Sequence, residues 1–429
     1  MFFTNFMPRR HRLALAFTLL LCALPPAAPA ASEPLGLEQS VQLAVGRSRQ
    51  LSGMDAAVVA SREMAVAARQ LPDPVVKFGV DNVPASGPDR FSLSNDFMTM
   101  RRIAVMQELT GTDKRERRAD AYQRRADTSL SEKAAAAAVI ERDTAIAWLD
   151  SYFLQELVRN AAAQVVQAQH AIVASEGVYR GGKGSLADVL AARSALAMAQ
   201  DRASETARRS TSATSVLARW VGAAAARPLA QLPMLDTIPL DLAALDSQLA
   251  HHPQLGVLDR RLDAARAEVR SAEAARKSDW TVELAFQQRG PAYASMVSIG
   301  ASLPVQWDRR NRQDREVAAR VALAGQVLAE REEAQRSHVV ETRVMIEEWN
   351  NGRERIARFE RELQPLAMGR VSAAMAAYRG GKATLSEVLA AQREETAVRA
   401  QALELRMATA RLWAQLHFLF PHGVKEMSK

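Results

Sequence analysis

The segment Tyr179–Arg193 reads YRGGKGSLADVLAAR, and Tyr378–Gln392 reads YRGGKATLSEVLAAQ. Tyr179 and Tyr378 lie 199 residues apart, and the two segments share ten of their fifteen residues in the same order. Gly181-Gly182 and Gly380-Gly381 are placed to end a helix, because glycine enters the left-handed conformation that closes a helix C-terminus at little steric cost. Ser185 with Asp188, and Thr384 with Glu387, then have the S/T-x-x-D/E spacing of a capping box, which satisfies the free backbone donors at the start of a helix. Leu186, Val189 and Leu190, like Leu385, Val388 and Leu389, begin the next apolar stripe. Each segment is therefore predicted to be a helix-to-helix U-turn, with Tyr179, Lys183, Tyr378 and Lys382 beside it.

The likeness between the halves reaches further. Gln50-Leu51 with Asp55 echoes Gln254-Leu255 with Asp259, and Ala67-Ala68-Arg69 echoes Ala274-Ala275-Arg276. This is a tandem duplication, not a solenoid of many short repeats. Each half reads in the same order: a helix (37–70, then 242–277), a β-hairpin (75–109, then 280–306), and two long helices meeting at the repeated turn. The long helices are expected over 112–175 and 185–221, and over 309–378 and 384–418. A helix of some 65 residues is about 100 Å long, so it requires helical partners along its length, and the Ala-rich tracts at 134–138 and 161–163 let them approach closely. The expected organisation is a signal peptide (1–30), a first repeat (31–221), a Pro-rich linker (222–240), a second repeat (241–421) and a short tail (422–429).

The hairpins switch to period two. Trp280, Val282, Leu284 and Phe286 alternate with Thr281, Glu283, Ala285 and Gln287, and Val297, Ile299 and Ala301 alternate with Met296, Ser298 and Gly300. In the first half Phe78 and Val80 alternate with Lys77, Gly79 and Asp81, and the return strand runs through Ile103 and Val105, where Arg101-Arg102 blurs the two faces. Each strand thus has an apolar face at nearly the 9 to 11 residues that a transmembrane strand needs. Four such strands cannot close a barrel, and an open edge in lipid leaves backbone groups unpaired. Strands that cross a membrane here must share one barrel with strands of other copies.

The N-terminus has a basic Arg9-Arg10-His11-Arg12, an apolar run from Leu13 to Leu24 and a small-residue exit at Ala28-Pro29-Ala30, the form of a secretory signal peptide cleaved after Ala30. Cys22, the only cysteine, lies in the apolar run behind Leu21 and not behind a small residue, so it is read first as part of that run, with a lipidation site as the lesser alternative. The formal charge of +8 falls to +5 without the signal arginines and is spread along helices that also contain many acids. No basic block with interleaved aromatics appears, which argues against nucleic acid as a partner.

A phosphate-binding loop is suggested by Gly177 with Gly182-Lys183, but Gly184 stands where a magnesium-binding Ser or Thr belongs, the preceding segment is helical, and the second copy has Ala376 in place of the first glycine. His251-His252 precedes Pro253 without a partner at ligand spacing and reads as a solvent-exposed helix terminus. No nucleophile–base set or carboxylate pair argues for catalysis. No enzyme activity, cofactor or bound metal is expected.

With its tandem halves, its Tyr-x-x-Gly turns leading into Leu-x-Asp/Glu-Val-Leu, and the strand-to-helix passage Leu303-Pro304-Val305-Gln306-Trp307-Asp308, the chain resembles the TolC-type outer-membrane efflux factors over almost its whole mature length. The first-half counterpart of that passage, Gln107 to Arg115, lacks the aromatic. The resemblance implies a mainly α fold of long antiparallel coiled hairpins with four strands that join a shared twelve-stranded barrel. It implies a homotrimer in the outer membrane, in contact with outer-membrane lipid, with its helices in the periplasm. The turns, including Gly181, Gly182, Lys183, Ser185, Gly380, Gly381, Lys382 and Thr384, would meet a periplasmic adaptor of an inner-membrane pump. Family members narrow this end with acidic side chains, and the matching positions are Asp188 and Glu387. Both are also the acidic members of capping boxes, and the two roles are compatible. Asp81-Asn82-Val83-Pro84 and Asp96-Phe97-Met98-Thr99-Met100 are similar to the heavy-metal branch, for which Met98, Met100 and Met106 offer soft ligands, although strand packing explains methionines there as well. The competing reading is a soluble periplasmic coiled-coil scaffold or adaptor whose hairpins form a small capping sheet.

Overall fold

The computed structural model of the chain describes residues 33–421. The signal peptide, Cys22 and the tail at 422–429 lie outside the described residues.

The fold is mainly α with one small sheet. Helices α1 (Leu37–Arg47) and α2 (Arg49–Arg69) lead into strands β1 (Val75–Asp81) and β2 (Met100–Leu109), followed by the long helices α3 (Thr112–Arg180) and α4 (Leu186–Val221). After a 3-10 turn and the linker come α5 (Leu245–Leu249), α6 (Pro253–Ala274), β3 (Trp280–Gln288), β4 (Met296–Ser302), α7 (Gln313–Arg358), α8 (Gln364–Arg379) and α9 (Leu385–His417). The 69 residues of α3 make a rod of about 100 Å. Because only two residues separate β2 from α3, and α3 ends at the Gly181 turn, the sheet and the turn stand at opposite ends of that rod. The path through α7 and α8 repeats the arrangement, so both turns lie at the end far from the sheet.

Shorter helices complete the bundle on either side of a waist. α2 and α6 pack along the sheet-side half of α3, while α4 and α9 return along it from the turns. Where these sets meet, a core closes around Trp148, Leu149, Leu217, Trp413 and Leu416, with Leu35 and the linker residues Leu232, Leu235, Ile238 and Leu240 against it. The two buried indoles keep their N–H groups satisfied, Trp148 Nε1 donating to Leu35 O at 2.9 Å and Trp413 Nε1 to Thr237 O at 2.8 Å. At the same level Gly352 lets α7 approach α9 so closely that an added Cβ would stand 2.4 Å from Thr409 Oγ1.

Three helices expected to be continuous are interrupted. The first divides at Ser48, whose backbone is extended and whose hydroxyl accepts from Leu51 N to cap α2. The helix expected over 242–277 divides at His252-Pro253: Pro253 has no N–H to continue α5, so α6 starts afresh at that proline, with His252 as its cap. Between α7 and α8 the backbone stays helical but widens into a single π turn at Phe359–Leu363. Pro365 follows two residues later; lacking an N–H for Arg361 O, it favours a shifted hydrogen-bond register.

Candidate functional site

Two features remain once the helical core is accounted for, the turns at one end and the sheet at the other. Each turn is built from two capping devices in series. In the first, Gly182 N donates to Tyr179 O at 3.0 Å and Lys183 N to Val178 O at 3.1 Å, the Schellman pattern. Gly182 supplies the left-handed residue it needs, with φ 69°, while Gly181 keeps φ −78°. The second turn repeats the pattern, with Gly381 N to Tyr378 O at 3.0 Å, Lys382 N to Ala377 O at 2.8 Å, and φ 69° at Gly381 against −81° at Gly380. The left-handed position is thus the second glycine of each pair alone.

Both capping boxes then form. Ser185 Oγ accepts from Asp188 N at 3.2 Å while Asp188 Oδ2 accepts from Ser185 N at 3.0 Å and from its hydroxyl at 2.7 Å. Thr384 Oγ1 accepts from Glu387 N at 3.3 Å, and Glu387 Oε2 accepts from Thr384 N at 3.0 Å. The Ser185 hydroxyl, followed by its backbone N–H, holds the Asp188 carboxyl below the usual carboxylate range, so this exposed group stays ionised. Lys183, Lys382 and both carboxylates face solvent at the tip, Tyr179 is exposed, and Tyr378 is half-buried. The turn residues predicted from sequence therefore gather into two small clusters at one end. An ion pair across each hairpin supports them, Arg193 with Glu176 at 2.8 Å and Arg370 with Glu394. Sequence reasoning did not identify these pairs, although their near-symmetric placement about the turns was a usable signal.

At the other end all four strands form one antiparallel sheet in the order β1-β2-β3-β4, so the two hairpins are joined through β2 and β3. Cα partners share a face, and the register sorts the side chains into two unlike surfaces. One carries the rows Phe78–Ile103–Phe286–Val297 and Val76–Val105–Leu284–Ile299. These residues are not turned into the core: Phe78 is 78% exposed, Ile299 79% and Val297 68%. The opposite face carries Lys77, Arg102, Glu283, Gln287 and Ser298 over the buried alanines Ala104 and Ala285. There Glu283 bridges Lys77 at 2.9 Å and Arg102, and Arg102 also reaches Asp81 at 3.8 Å.

The return strand, whose faces the adjacent arginines blur in the sequence, proves the longest of the four at ten residues. Its arginines separate cleanly. Arg102 joins the polar face, whereas Arg101 stands in the row Val80–Arg101–Gln288, where it ends the apolar band. At the other end of the band Leu109 pairs with Trp280. From Arg101 to Leu109 the band runs about 27 Å along the strand at ~3.4 Å per residue. Met100 and Met106 lie on the polar face and Met98 lies in the connecting loop, not in a strand.

Sheet and bundle are tied together by a buried ion pair between the halves. Lys114, in the first turn of α3, donates to Asp279 Oδ2 at 2.5 Å and to Lys277 O at 2.7 Å, and Asp279 Oδ1 accepts from Gly111 N at 3.2 Å. Their side chains are only 7% and 14% exposed. His252 departs from its expected place: it is buried at 7% exposure, with its ring centroid 4.4 Å from that of His338, and only His251 faces solvent. Among the described residues no group of three or more His, Cys, Asp or Glu side chains is placed to hold a metal, and no helix is long and apolar enough to cross a membrane.

No family model matches the sequence, and no curated protein matches it. Solved structures do. A membrane protein from Pseudomonas aeruginosa superposes with a TM-score of 0.75 at 16% identity, covering 89% of each chain. The CmeC outer-membrane channel of Campylobacter jejuni gives 0.76 at 12% identity over 92% of this chain and 89% of its own. CusC, described as forming a transmembrane channel, gives 0.74 at 14% identity over 89% and 91%. At these identities the likeness establishes the fold, the TolC-like architecture of long helical hairpins and strands found in outer-membrane channels.

Proposed function

We propose that the chain is one subunit of a homotrimeric outer-membrane channel, a passive exit duct of a tripartite efflux system, joined through a periplasmic adaptor to an inner-membrane pump that drives export. The observation that carries this reading is the sheet. Its apolar face is bare, its polar face is lined with paired charges, and β1 and β4 are unpaired edges. A water-exposed face of this kind forfeits on the order of 10 kcal/mol of transfer free energy, and a free edge in lipid is worse. Twelve strands from three copies remove both penalties, with the apolar rows toward lipid and the Lys77–Glu283–Arg102 cluster toward a water-filled lumen. The band, about 21 Å high at a strand tilt of ~40°, is close to the ~25 Å of such barrels. Arg101 then marks one headgroup boundary, since an arginine costs ~2–4 kcal/mol at the midplane but little at the interface.

In this assembly the two turns of each copy ring the periplasmic end of the duct, where Asp188 and Glu387 form an acidic constriction and the surrounding residues meet the adaptor. Heavy-metal cations are the proposed substrates, supported by the resemblance of 81–84 and 96–100 to that branch. Cell fractionation tests the reading: the protein is expected in the outer membrane as a heat-modifiable oligomer, and a soluble periplasmic protein with no such oligomer would establish the scaffold alternative instead. A deletion strain is expected to become sensitive to heavy-metal salts. Unchanged metal tolerance with increased drug sensitivity would reassign the substrate and leave the duct intact.

A further inference from the structure

We propose that each junction between copies holds the headgroup of an anionic phospholipid, at the end of the barrel where the helices begin; this rests on the shared-barrel reading above. Beyond β4 the chain continues outside the strand through Leu303, Val305 and Trp307, which are 39%, 64% and 91% exposed. Arginines follow. Arg309 is engaged by Asp314 at 3.5 Å, but among the described residues neither Arg310 nor Arg312 has a carboxylate within ion-pair distance. At the opposite edge of the sheet the chain enters β1 from Arg69. There Arg69, Thr112, Arg115 and Glu116 line an open cleft of about 520 Å³. Arg115 is fixed in it by donating to Arg69 O at 2.7 Å, Thr110 O at 3.1 Å and Thr112 Oγ1 at 3.3 Å. The Arg69 guanidinium has no carboxylate partner among the described residues.

Three successive antiparallel pairings make β1 and β4 antiparallel to each other. In a closed ring the end of β4 therefore lies beside the start of β1 in the neighbouring copy. That brings Trp307, Arg310 and Arg312 of one copy next to Arg69 and Arg115 of the next. Among the described residues none of the nearby acids, Asp73, Glu116, Asp308 and Glu316, lies within ion-pair distance of these four arginines, and Asp308 accepts from Asn311 Nδ2 at 2.8 Å. Guanidinium groups match phosphate oxygens in bidentate geometry, and tryptophan favours the membrane interface. The exposed apolar side chains of Leu303, Val305 and Trp307 lie between the sheet and the arginines, so the ligand that fits is an amphiphile, with its acyl chains against these side chains and its phosphate among the guanidinium groups.

Native mass spectrometry of the detergent-extracted channel tests this, comparing phosphatidylglycerol with phosphatidylcholine of the same acyl chains. The wild type is expected to retain the anionic lipid preferentially. In R310Q/R312Q its affinity for phosphatidylglycerol should fall about thirtyfold, taking about fivefold per basic residue at an anionic surface, with phosphatidylcholine unaffected. R69Q, across the junction, should lose about fivefold and reads the same site if the double variant fails to assemble. Equal retention of both lipids by the wild type, or unchanged affinity in these variants, would overturn the proposal. Displacement of the lipid by millimolar inorganic phosphate would assign the arginines to a free anion and equally overturn it. A monomer in the spectrum would refute the shared barrel itself, so the oligomer mass separates the two failures.

Discussion

Protonating His252 should loosen the waist, and the structure sets the size of the effect. His252 caps α6 by accepting from Gln254 N through Nδ1, at 3.3 Å, while a ring N–H donates to the backbone of Leu419. Burial first, then the neighbouring His338 on α7 and Arg142 on α3, pushes its pKa from 6.5 down to about 4. Phe420 closes the remaining side of the ring. A protonated Nδ1 can no longer accept, and the charge would face the positive end of the α6 dipole. The unfolded chain therefore binds this proton between pH 6.5 and 4 while the folded chain does not, so stability is complete above pH 6.5 and falls as the pH drops through that window. The full displacement corresponds to about 3 kcal/mol, of which about 2.5 kcal/mol is lost by pH 4.5. Denaturant unfolding of the detergent-solubilised protein at pH 7 and 4.5 measures it, with His252→Asn as the control, because asparagine caps a helix without titrating in this range. The wild type should lose about 2.5 kcal/mol more than the variant between the two pH values. Equal losses in both proteins would show that His252 does not carry the pH dependence.

Other expectations follow from the turns and from the junction of sheet and bundle. Gly182→Val or Gly381→Val places a β-branched residue at φ 69°, which costs at least ~1–2 kcal/mol in the turn; export of the pumped substrate should fall while the protein still reaches the membrane, and normal export in both variants would count against a role in coupling. Lys114→Ala strands the buried Asp279 carboxylate and should cost ~3–5 kcal/mol, whereas Lys114→Met with Asp279→Leu should be near neutral, as read by denaturant unfolding. Asp188→Ala with Glu387→Ala should raise the single-channel conductance of the reconstituted protein, and unchanged conductance would leave these residues only their capping role.

The turns were legible because every device in them is local. A glycine pair and a Ser or Thr three residues before an acid specify a Schellman end and a capping box whatever the rest of the chain does, and duplication displayed the signal twice. The strand faces were legible for the same reason, through period two. What the sequence concealed depends on neighbours. Pairing of β2 with β3 joins residues some 180 positions apart, as in Arg102 with Glu283, and only that pairing shows why Arg101 and Arg102 turn opposite ways. Ser48 resembles any other polar helix residue until its hydroxyl is found on Leu51 N. Pro253 and Pro365 were visible as residues, but one starts a new helix and the other shares in a π turn, a difference set by what packs around them. His252 looked exposed because nothing in its own segment reveals that His338 and Phe420 close over it.

Disulfide trapping at the sheet edges tests the shared barrel most directly. The only native cysteine is Cys22, so cysteines placed singly on β1 and scanned along β4 in the same chain report contacts between copies without interference. In outer membranes a shared barrel gives a non-reducing ladder of monomer, dimer and trimer that stops at the trimer. Absence of any inter-chain product across the scan, or a ladder that continues past three, would rule out a closed three-copy barrel.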